Sequence, residues 1–114
     1  METKFTPGPL RYYKDHNGRF HVCAGGTDDL ASLFHPAINP GTMEGNARLF
    51  AASPDLLSEL QAAHLIIRNA LNLMSPSAME KWAKWNERDG VIGEGTTRAF
   101  EREAAITAAL GAKS

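Results

Sequence analysis

The pair Ser53-Pro54 divides a run of helix-forming residues in the middle of the chain. Serine is a preferred N-cap because its hydroxyl accepts a backbone N–H, and proline suits the first helical position because its missing N–H would be unpaired there. Asp55 follows, and a carboxylate is favourable at the positive end of a helix. The pair therefore predicts that one helix, residues 43–52, ends here and that a second, residues 54–74, begins.

The second of these helices carries a broad apolar surface. Apolar residues recur on one stripe and on its flanks: Leu56, Leu60, Ala63, Ile67, Leu71 and Met74, with Leu57, Leu65, Ile66 and Leu73 beside them. An arc this wide is typical of a helix that is buried on more than one side. We expect one side to face a sheet and the other to face a second helix or a second copy of the chain, which predicts a symmetric homodimer.

The first third of the chain is rich in β-forming residues. It predicts three short strands, at residues 10–14, 19–24 and 29–34. Asn17-Gly18 separates the first two strands, and this pair tolerates the positive φ angles that tight hairpin turns require. Residues 25–28, Gly-Gly-Thr-Asp, provide a second turn. The three strands therefore form an antiparallel meander that needs a helix to cover its apolar face.

Residue alternation in the middle strand divides its side chains between two faces. Phe20, Val22 and Ala24 share one face, and His21 and Cys23 share the other. This division suits a sheet that is covered on one side only. His21 and Cys23 are therefore expected on the solvent side.

Two further helices follow the apolar one. Ser75-Pro76 repeats the cap-and-start signal and predicts a third helix over residues 76–88. The glycine-rich segment that comes next, residues 89–95, predicts irregular structure. Thr96 or Thr97 then caps a last helix, which Gly111 stops.

Together these elements predict an α+β fold, with an N-terminal three-stranded antiparallel meander packed on a C-terminal helical half of about four helices. At 114 residues the chain has the common size of one domain. We expect a single domain over residues 1–114, with a β-rich portion at residues 1–40 and a helical portion at residues 43–111.

Charge and composition argue against several classes of partner. Twelve Lys and Arg residues balance thirteen Asp and Glu residues, the net charge is −1, and neither sign gathers in one region. Nucleic-acid-binding proteins usually carry a basic stripe, so nucleic acid is not an expected partner. Cys23 is the only cysteine, which excludes an intrachain disulfide and favours a reducing cytoplasm. No apolar run reaches the roughly 20 residues that span a bilayer, and the N-terminus lacks a signal-peptide pattern, so we expect no membrane partner.

Candidate catalytic and metal-binding residues are few. His21 and Cys23 could serve as the base and thiol of a nucleophilic pair, or as two ligands of a metal, but two ligands do not make a site. His16, His35 and His64 lack metal-ligand spacing. The sequence therefore predicts no catalytic residue, no metal site and no cofactor, and it favours surface positions for His21 and Cys23.

Trp82 and Trp85 are the best candidates for a binding site. Spaced three apart on a helix, two indoles could sandwich a planar base or anchor a protein interface, although packing in the core is the simpler role for both. The site that we predict comprises these tryptophans and five cations: Lys81, Lys84 and Arg88 on the same helix, and Arg98 and Arg102 on the next. The alternative is that neighbouring glutamates simply neutralise these cations along the helices.

Two segments resemble a pattern found in small tailed-phage and prophage proteins. Thr6-Pro7-Gly8-Pro9-Leu10 is followed by a β-rich stretch and then by "NARLFAASPDLL" at residues 46–57. In these features the chain resembles the Ead-like accessory proteins, which have a "TPGPW" start and an "NARFIAA" helix before a leucine-rich one. The resemblance covers residues 5–65, and the tail "GEGTTRAFEREAA" at residues 93–105 is also similar to the ends of some phage proteins. Leu10 stands where the family usually has tryptophan, so no role of that tryptophan carries over.

The resemblance implies a phage-encoded accessory protein in the cytoplasm of an infected or lysogenic bacterium. Because the sequence shows no catalytic motif, stoichiometric binding is the expected mechanism. The leading hypothesis is a non-enzymatic inhibitor that binds a host protein or defence complex, for example an anti-CRISPR protein. One alternative is a sponge that sequesters a signalling nucleotide, with a tryptophan on the base and Arg98 or Arg102 on a phosphate. Another is a small hydrolase or transferase that uses His21 and Cys23.

Overall fold

The computed structural model describes residue 6 and residues 8–24 and 29–111. Three strands and three helices follow one another along these residues: β1 Arg11–Lys14, β2 Phe20–Cys23, β3 Asp29–Leu33, α1 Pro40–Leu73, α2 Pro76–Arg88 and α3 Ala99–Leu110. This order confirms the α+β fold, with three helices where about four were predicted. The chain forms two compact units, residues 1–56 and residues 57–114, and the single domain stays a prediction. The predicted turn at residues 25–28 lies outside the described residues.

The three strands form one antiparallel sheet in the order β1-β2-β3. At the hairpin between β1 and β2, the N–H of Asp15 donates to the carbonyl of Arg19 at 2.9 Å, and the N–H of Gly18 donates to the carbonyl of Asp15 at 3.0 Å. Gly18 has a φ of 82°, a left-handed conformation that only glycine adopts without strain, whereas Asn17 has no positive φ. The predicted hairpin is confirmed, with a turn that ends in a glycine bulge.

A small core joins β2 to the first half of α1. Phe20 and Val22 form one buried cluster with Met43, Ala47 and Ala51. The three helical residues are spaced four apart, so they lie on one face of α1. Partly buried side chains pack against this cluster: Leu10, Tyr12 and Leu33. The prediction that a helix covers the apolar face of the sheet is therefore confirmed, with covering residues that precede Ser53-Pro54. The expectation that the apolar stretch over residues 54–74 is buried on more than one side is wrong, because none of its residues is buried.

The predicted alternation of side chains fails at the end of β2. Cys23 is fully buried like Val22, and Ala24 is exposed. The pairing register with β3 shifts at this step, because Val22 pairs with Ala31 whereas Cys23 pairs with Asp29. One residue of β3 is skipped, which is the pattern of a β-bulge, and a bulge changes which side chains face the core. The expectation that Cys23 lies on the solvent side is therefore wrong.

Helix α1 runs through Ser53-Pro54 without a break. Proline cannot donate the hydrogen bond that the carbonyl of Phe50, four residues earlier, would otherwise receive. The hydroxyl of Ser53 donates to that carbonyl instead, at 2.7 Å. The serine thus compensates for the proline within one helical turn, and the predicted boundary between two helices is wrong.

The helix start that Ser53-Pro54 predicts is found instead at Asn39-Pro40, where α1 begins. The side-chain oxygen of Asn39 accepts the N–H of Thr42 at 2.8 Å, and its backbone carbonyl accepts the N–H of Met43 at 3.1 Å. Asn39 is therefore the N-cap of α1, and Pro40 occupies the first helical position.

The second unit contains the rest of α1 together with α2 and α3. Ser75 caps α2 as predicted, because its hydroxyl accepts the N–H of Ala78 at 3.1 Å, and Gly111 ends α3 as predicted, with a φ of 77°. The predicted threonine cap of α3 is wrong, since the helix begins at Ala99 after Arg98, which has a φ of 56° and makes no side-chain cap. In the described part of the chain, every helix is too short or too polar to cross a membrane.

Replacing Ser53 by alanine should lower the free energy of unfolding by about 1 kcal/mol, the net contribution of one hydrogen bond, because the Phe50 carbonyl then has no donor within the helix. In a Pro54→Ala background the same change should cost less than half as much, since a backbone N–H at position 54 serves that carbonyl. Chemical denaturation of the four proteins gives the coupling. Ser58→Ala, on the exposed surface of the same helix, is the control and should have little effect in either background. Equal costs of Ser53→Ala with and without Pro54 would contradict the compensation.

Candidate functional site

Four of the seven predicted site residues lie on one face of α2. Lys81, Lys84, Trp85 and Arg88 are spaced three and four apart, so the helix places them side by side, and all four are exposed. Trp85 is 59% exposed, and the guanidinium carbon of Arg88 lies 5.7 Å from the centre of its ring. We call these four residues the basic face of α2.

Acidic neighbours neutralise part of the basic face. The ammonium of Lys84 lies 3.4 Å from a carboxylate oxygen of Glu80, and Arg88 makes two hydrogen bonds, of 3.0 and 3.3 Å, to the carboxylate of Asp89. The interpretation that neighbouring acids pair with these cations therefore holds for Lys84, and for Arg88 with an aspartate in place of a glutamate. Exposed ion pairs of this kind are weak and screened by solvent, so these acids do not hold the cations strongly.

The other three predicted site residues line a cavity of about 230 Å³ in the second unit. They are Trp82, Arg98 and Arg102, and they share its wall with residues that sequence reasoning did not select: Ile67, Asn86, Val91, Thr96 and Thr97. Asn86 ties part of this wall together, because its side-chain amide donates to the carbonyl of Thr96 at 2.8 Å. The seven predicted residues thus fall into two groups, the basic face and the cavity.

Arg102, which lines the cavity, makes hydrogen bonds to His64 of α1 and to the backbone of Thr97. Its Nε donates to Nδ1 of His64 at 3.3 Å, and its guanidinium also donates to the carbonyl of Thr97. Its Nη2 is buried and has no hydrogen-bond partner among the described residues. His64 lines a neighbouring cavity of about 520 Å³. One nitrogen of the guanidinium, with its two N–H groups, therefore has no acceptor among the described residues.

Glu101 of α3 and Arg98, which precedes α3, hold the glycine-rich segment between α2 and α3. The carboxylate of Glu101 accepts the N–H of Glu94 at 3.0 Å and lies 3.6 Å from a guanidinium nitrogen of Arg98, which donates in turn to the carbonyl of Ile92 at 3.3 Å. Hydrogen bonds from the backbone N–H groups of Glu101 itself and of Glu94, helped by nearby arginines, hold the pKa of Glu101 below its usual value. Gly93 permits the close approach, because a Cβ at this position would overlap the Glu101 carboxylate.

Gly93→Ala should lower the free energy of unfolding by about 1 to 2 kcal/mol, since the carboxylate of Glu101 must move and lose its hydrogen bond to the N–H of Glu94. Gly95→Ala is the matched control, because a Cβ there meets nothing within 4 Å, and it should leave stability nearly unchanged. Chemical denaturation measures both variants. Equal effects at the two glycines would show that Glu101 does not hold the segment.

A second cluster of polar side chains lies around His21 on the exposed face of the sheet. Tyr13, His21 and Ser32 lie directly opposite one another in the three strands. The Nε2 atom of His21 lies 2.7 Å from a carboxylate oxygen of Asp15. Its Nδ1 atom lies 2.8 Å from the hydroxyl of Ser32 and 3.2 Å from a carboxylate oxygen of Asp29. Tyr13 stacks on the imidazole, with ring centres 5.0 Å apart, and donates from its hydroxyl to Asp29 at 2.8 Å.

This His21 cluster resembles a serine–histidine–aspartate arrangement but does not fit its chemistry. A general base needs a ring nitrogen that is free to take the serine proton. Here the carboxylate of Asp29 lies 3.2 Å from the same Nδ1 atom that faces Ser32, so a second group competes for the position that a base would use. The hydrogen bond from His21, followed by those from backbone N–H groups, lowers the pKa of Asp15 to about 2. The geometry therefore fits a tie across three strands better than an activated nucleophile.

Sequence reasoning selected His21 but not the residues around it. It paired His21 with Cys23, which is buried away from the cluster's solvent side. The true neighbours, Tyr13 and Ser32, follow from the strand register, which the hairpin turn fixes. Among the described residues no group of three or more His, Cys, Asp or Glu could hold a metal ion.

Comparison with known proteins shows that the chain belongs to a phage protein family. The family model that matches, over residues 1–113, is described as Salmonella phage P22 protein Y8K6. No curated protein and no solved structure matches the chain. The predicted relationship to phage proteins is thus confirmed, and the narrower resemblance to Ead-like accessory proteins stays a prediction.

Proposed function

We propose that this is a phage-encoded, non-enzymatic accessory protein that binds and inhibits a host factor, with a defence complex such as a CRISPR effector as the target. The basic face of α2, where an exposed tryptophan and three cations lie side by side, is the observation that carries the proposal. Membership of a phage protein family supports the phage origin.

Trp85 and Arg88 have the properties of interface anchors. Tryptophan and arginine are among the residues most enriched in binding hot spots. The indole of Trp85 is more than half exposed, and the guanidinium of Arg88 already lies against its ring. Because the two side chains hold each other in place, less rotamer freedom is lost when a partner binds.

The charge distribution favours an acidic protein surface as the partner. The basic face belongs to a chain with a net charge of −1, so it is a local patch and not a general property of the molecule. Non-specific binding to nucleic acid depends on neutralising many phosphates along an extended basic surface. A compact patch with one aromatic anchor instead suits an apolar pocket rimmed by carboxylates on a host protein.

Trp85→Ala should weaken binding to the target by about thirty-fold, which corresponds to about 2 kcal/mol, and Arg88→Glu should act in the same direction through charge. The measurement is the plating efficiency of a phage that a CRISPR system targets, on cells that express each variant. Leu49→Ala is the matched control, because Leu49 is a leucine 62% exposed outside the basic face, and it should protect the phage as the wild type does.

Purified protein and the same defence complex give the second readout, co-elution in size-exclusion chromatography. Full protection by both Trp85→Ala and Arg88→Glu would show that the basic face is not the binding surface. Failure of the wild type to protect against, or co-elute with, any defence complex tested would reject the anti-defence function itself.

A nucleotide sponge is the second candidate, and the unpartnered Nη2 of Arg102 favours it. A buried guanidinium donor forms strong hydrogen bonds with phosphate oxygens, and Trp82 lines the same cavity. The cavity volume of about 230 Å³ is below the roughly 300 Å³ at which small-molecule sites usually begin. A nucleotide would therefore extend toward the neighbouring cavity that His64 lines.

A thermal-shift titration with cyclic mononucleotides and dinucleotides tests the sponge. A true ligand at 100 times its Kd should stabilise the folded protein by about 2.7 kcal/mol. Arg102→Lys, which keeps the charge but loses the planar fork, should remove most of that shift, whereas Arg48→Lys in the first unit should keep it. Absence of a shift with every nucleotide would reject the sponge and leave the protein-binding function untouched.

A further inference from the structure

Asn17, at the hairpin turn, differs chemically from the other asparagines of the chain. Of the six asparagines, it alone is followed by glycine. Asn39 precedes Pro40, whose nitrogen carries no hydrogen. The other four lie inside α1 or α2, where the next backbone N–H belongs to the helix: Asn46, Asn69, Asn72 and Asn86. Asn17 is therefore the one asparagine whose following backbone nitrogen carries a hydrogen and lies outside a helix.

The turn leaves this nitrogen and the side-chain amide unshielded. Asn17 is exposed, so water reaches its amide. Gly18 has no side chain to cover its nitrogen, and an added Cβ would meet only the Cε atom of Lys14, at 3.9 Å. The N–H of Gly18 donates to the carbonyl of Asp15 at 3.0 Å. This hydrogen bond must open before the nitrogen can react.

We propose that Asn17 is a site of spontaneous deamidation in the folded protein. The backbone nitrogen of Gly18 loses its proton and attacks Cγ of Asn17. The new N–Cγ bond closes a succinimide ring, and the Cγ–Nδ2 bond breaks, so that Nδ2 takes a proton and leaves as ammonia. The site does not depend on the proposed function, because Asn17 belongs to the first unit and the basic face to the second.

Water completes the reaction by opening the ring on either side of the Gly18 nitrogen. Attack at Cγ gives aspartate at position 17. Attack at the main-chain carbonyl carbon gives isoaspartate, in which the chain continues through Cγ. The net change exchanges an amide for a carboxylic acid, with water consumed and ammonia released, and it needs no oxidant or reductant.

The carboxylate of Asp15 restrains this reaction. Its Oδ1 atom accepts the N–H of Asn17 at 2.8 Å and the N–H of Arg19 at 3.0 Å, and its Oδ2 atom lies 2.7 Å from Nε2 of His21. One side chain thus holds the backbone on both sides of Gly18. Because the attack requires the turn to open locally, the rate follows the population of the open turn. Asp15 therefore controls how fast Asn17 deamidates.

The two products have different effects on the sheet. Aspartate keeps the length of the backbone and adds one exposed negative charge. Isoaspartate adds a carbon atom to the main chain, inside a turn whose length fixes the register of β1 against β2. That register places Tyr13 opposite His21, with their rings stacked. Chemical denaturation of the separated products should therefore find the isoaspartate form less stable than the aspartate form, and equal stability would contradict the effect on register.

Peptide mapping by mass spectrometry tests the site after the folded protein is incubated in mildly alkaline buffer. The peptide that contains Asn17 should gain the mass of an amide-to-acid exchange and separate into two chromatographic peaks, one for each product. Peptides that contain the other five asparagines are internal controls and should keep their mass. An unchanged Asn17 peptide, or conversion of another asparagine at the same rate, would overturn the proposal.

Three variants test the restraint. Asp15→Ala should raise the rate at Asn17 about five-fold, which corresponds to about 1 kcal/mol for one lost hydrogen bond. Asp15→Asn keeps an acceptor oxygen for the turn and should stay near the wild-type rate. Asp29→Ala is the matched control, because it removes the other carboxylate beside His21 and leaves the hydrogen bonds of the turn in place. Equal acceleration by Asp15→Ala and Asp29→Ala, or by Asp15→Ala and Asp15→Asn, would show that Asp15 does not restrain the reaction.

Discussion

Helix α1 depends on the hydrogen bond from the Ser53 hydroxyl to the Phe50 carbonyl. Pro54 removes a backbone donor from the helix interior, and a kink or a break is the usual result. Because Ser53 supplies the missing donor from one residue earlier, α1 continues from the Asn39 cap to Leu73. One helix therefore carries the core residues Met43, Ala47 and Ala51 as well as the exposed Leu65 and Leu73.

Elements whose ends are completed by neighbouring residues could be predicted from the sequence. The hairpin at Asn17-Gly18 and the Ser75 cap are of this kind, since their hydrogen bonds join residues at most four positions apart. Ser53-Pro54 and Asn39-Pro40 carry equivalent local signals, yet one lies inside a helix and the other begins it. The difference is the direction of the side-chain bond, because Asn39 accepts from an N–H ahead of it whereas Ser53 donates to a carbonyl behind it. A hydroxyl can do either, so the residue types alone cannot decide.

The candidate site could be predicted only where helical spacing defines it. The basic face of α2 follows from the three- and four-residue spacing of its members. The cavity beside Trp82 instead combines residues of α1, α2, α3 and the segment before α3, and no spacing rule links Ile67 to Thr97. The His21 cluster is an intermediate case, because strand register places its members opposite one another. The bulge that buries Cys23, however, breaks the two-residue alternation on which the surface assignment of that thiol relied.

The second unit carries the proposed binding surface and no fully buried side chain in its described residues, and this links its stability to binding. A partner that binds only the folded state stabilises that state by mass action. A host factor that binds the basic face would therefore raise the folded population of the unit that presents this face. The position of the basic face depends on how α2 packs, and the half-buried Trp82 of α2 lies in the wall of the 230 Å³ cavity. Since Trp82 and the basic face belong to one helix, packing at the cavity and binding at the face would each stabilise the other without any direct contact between the partner and Trp82.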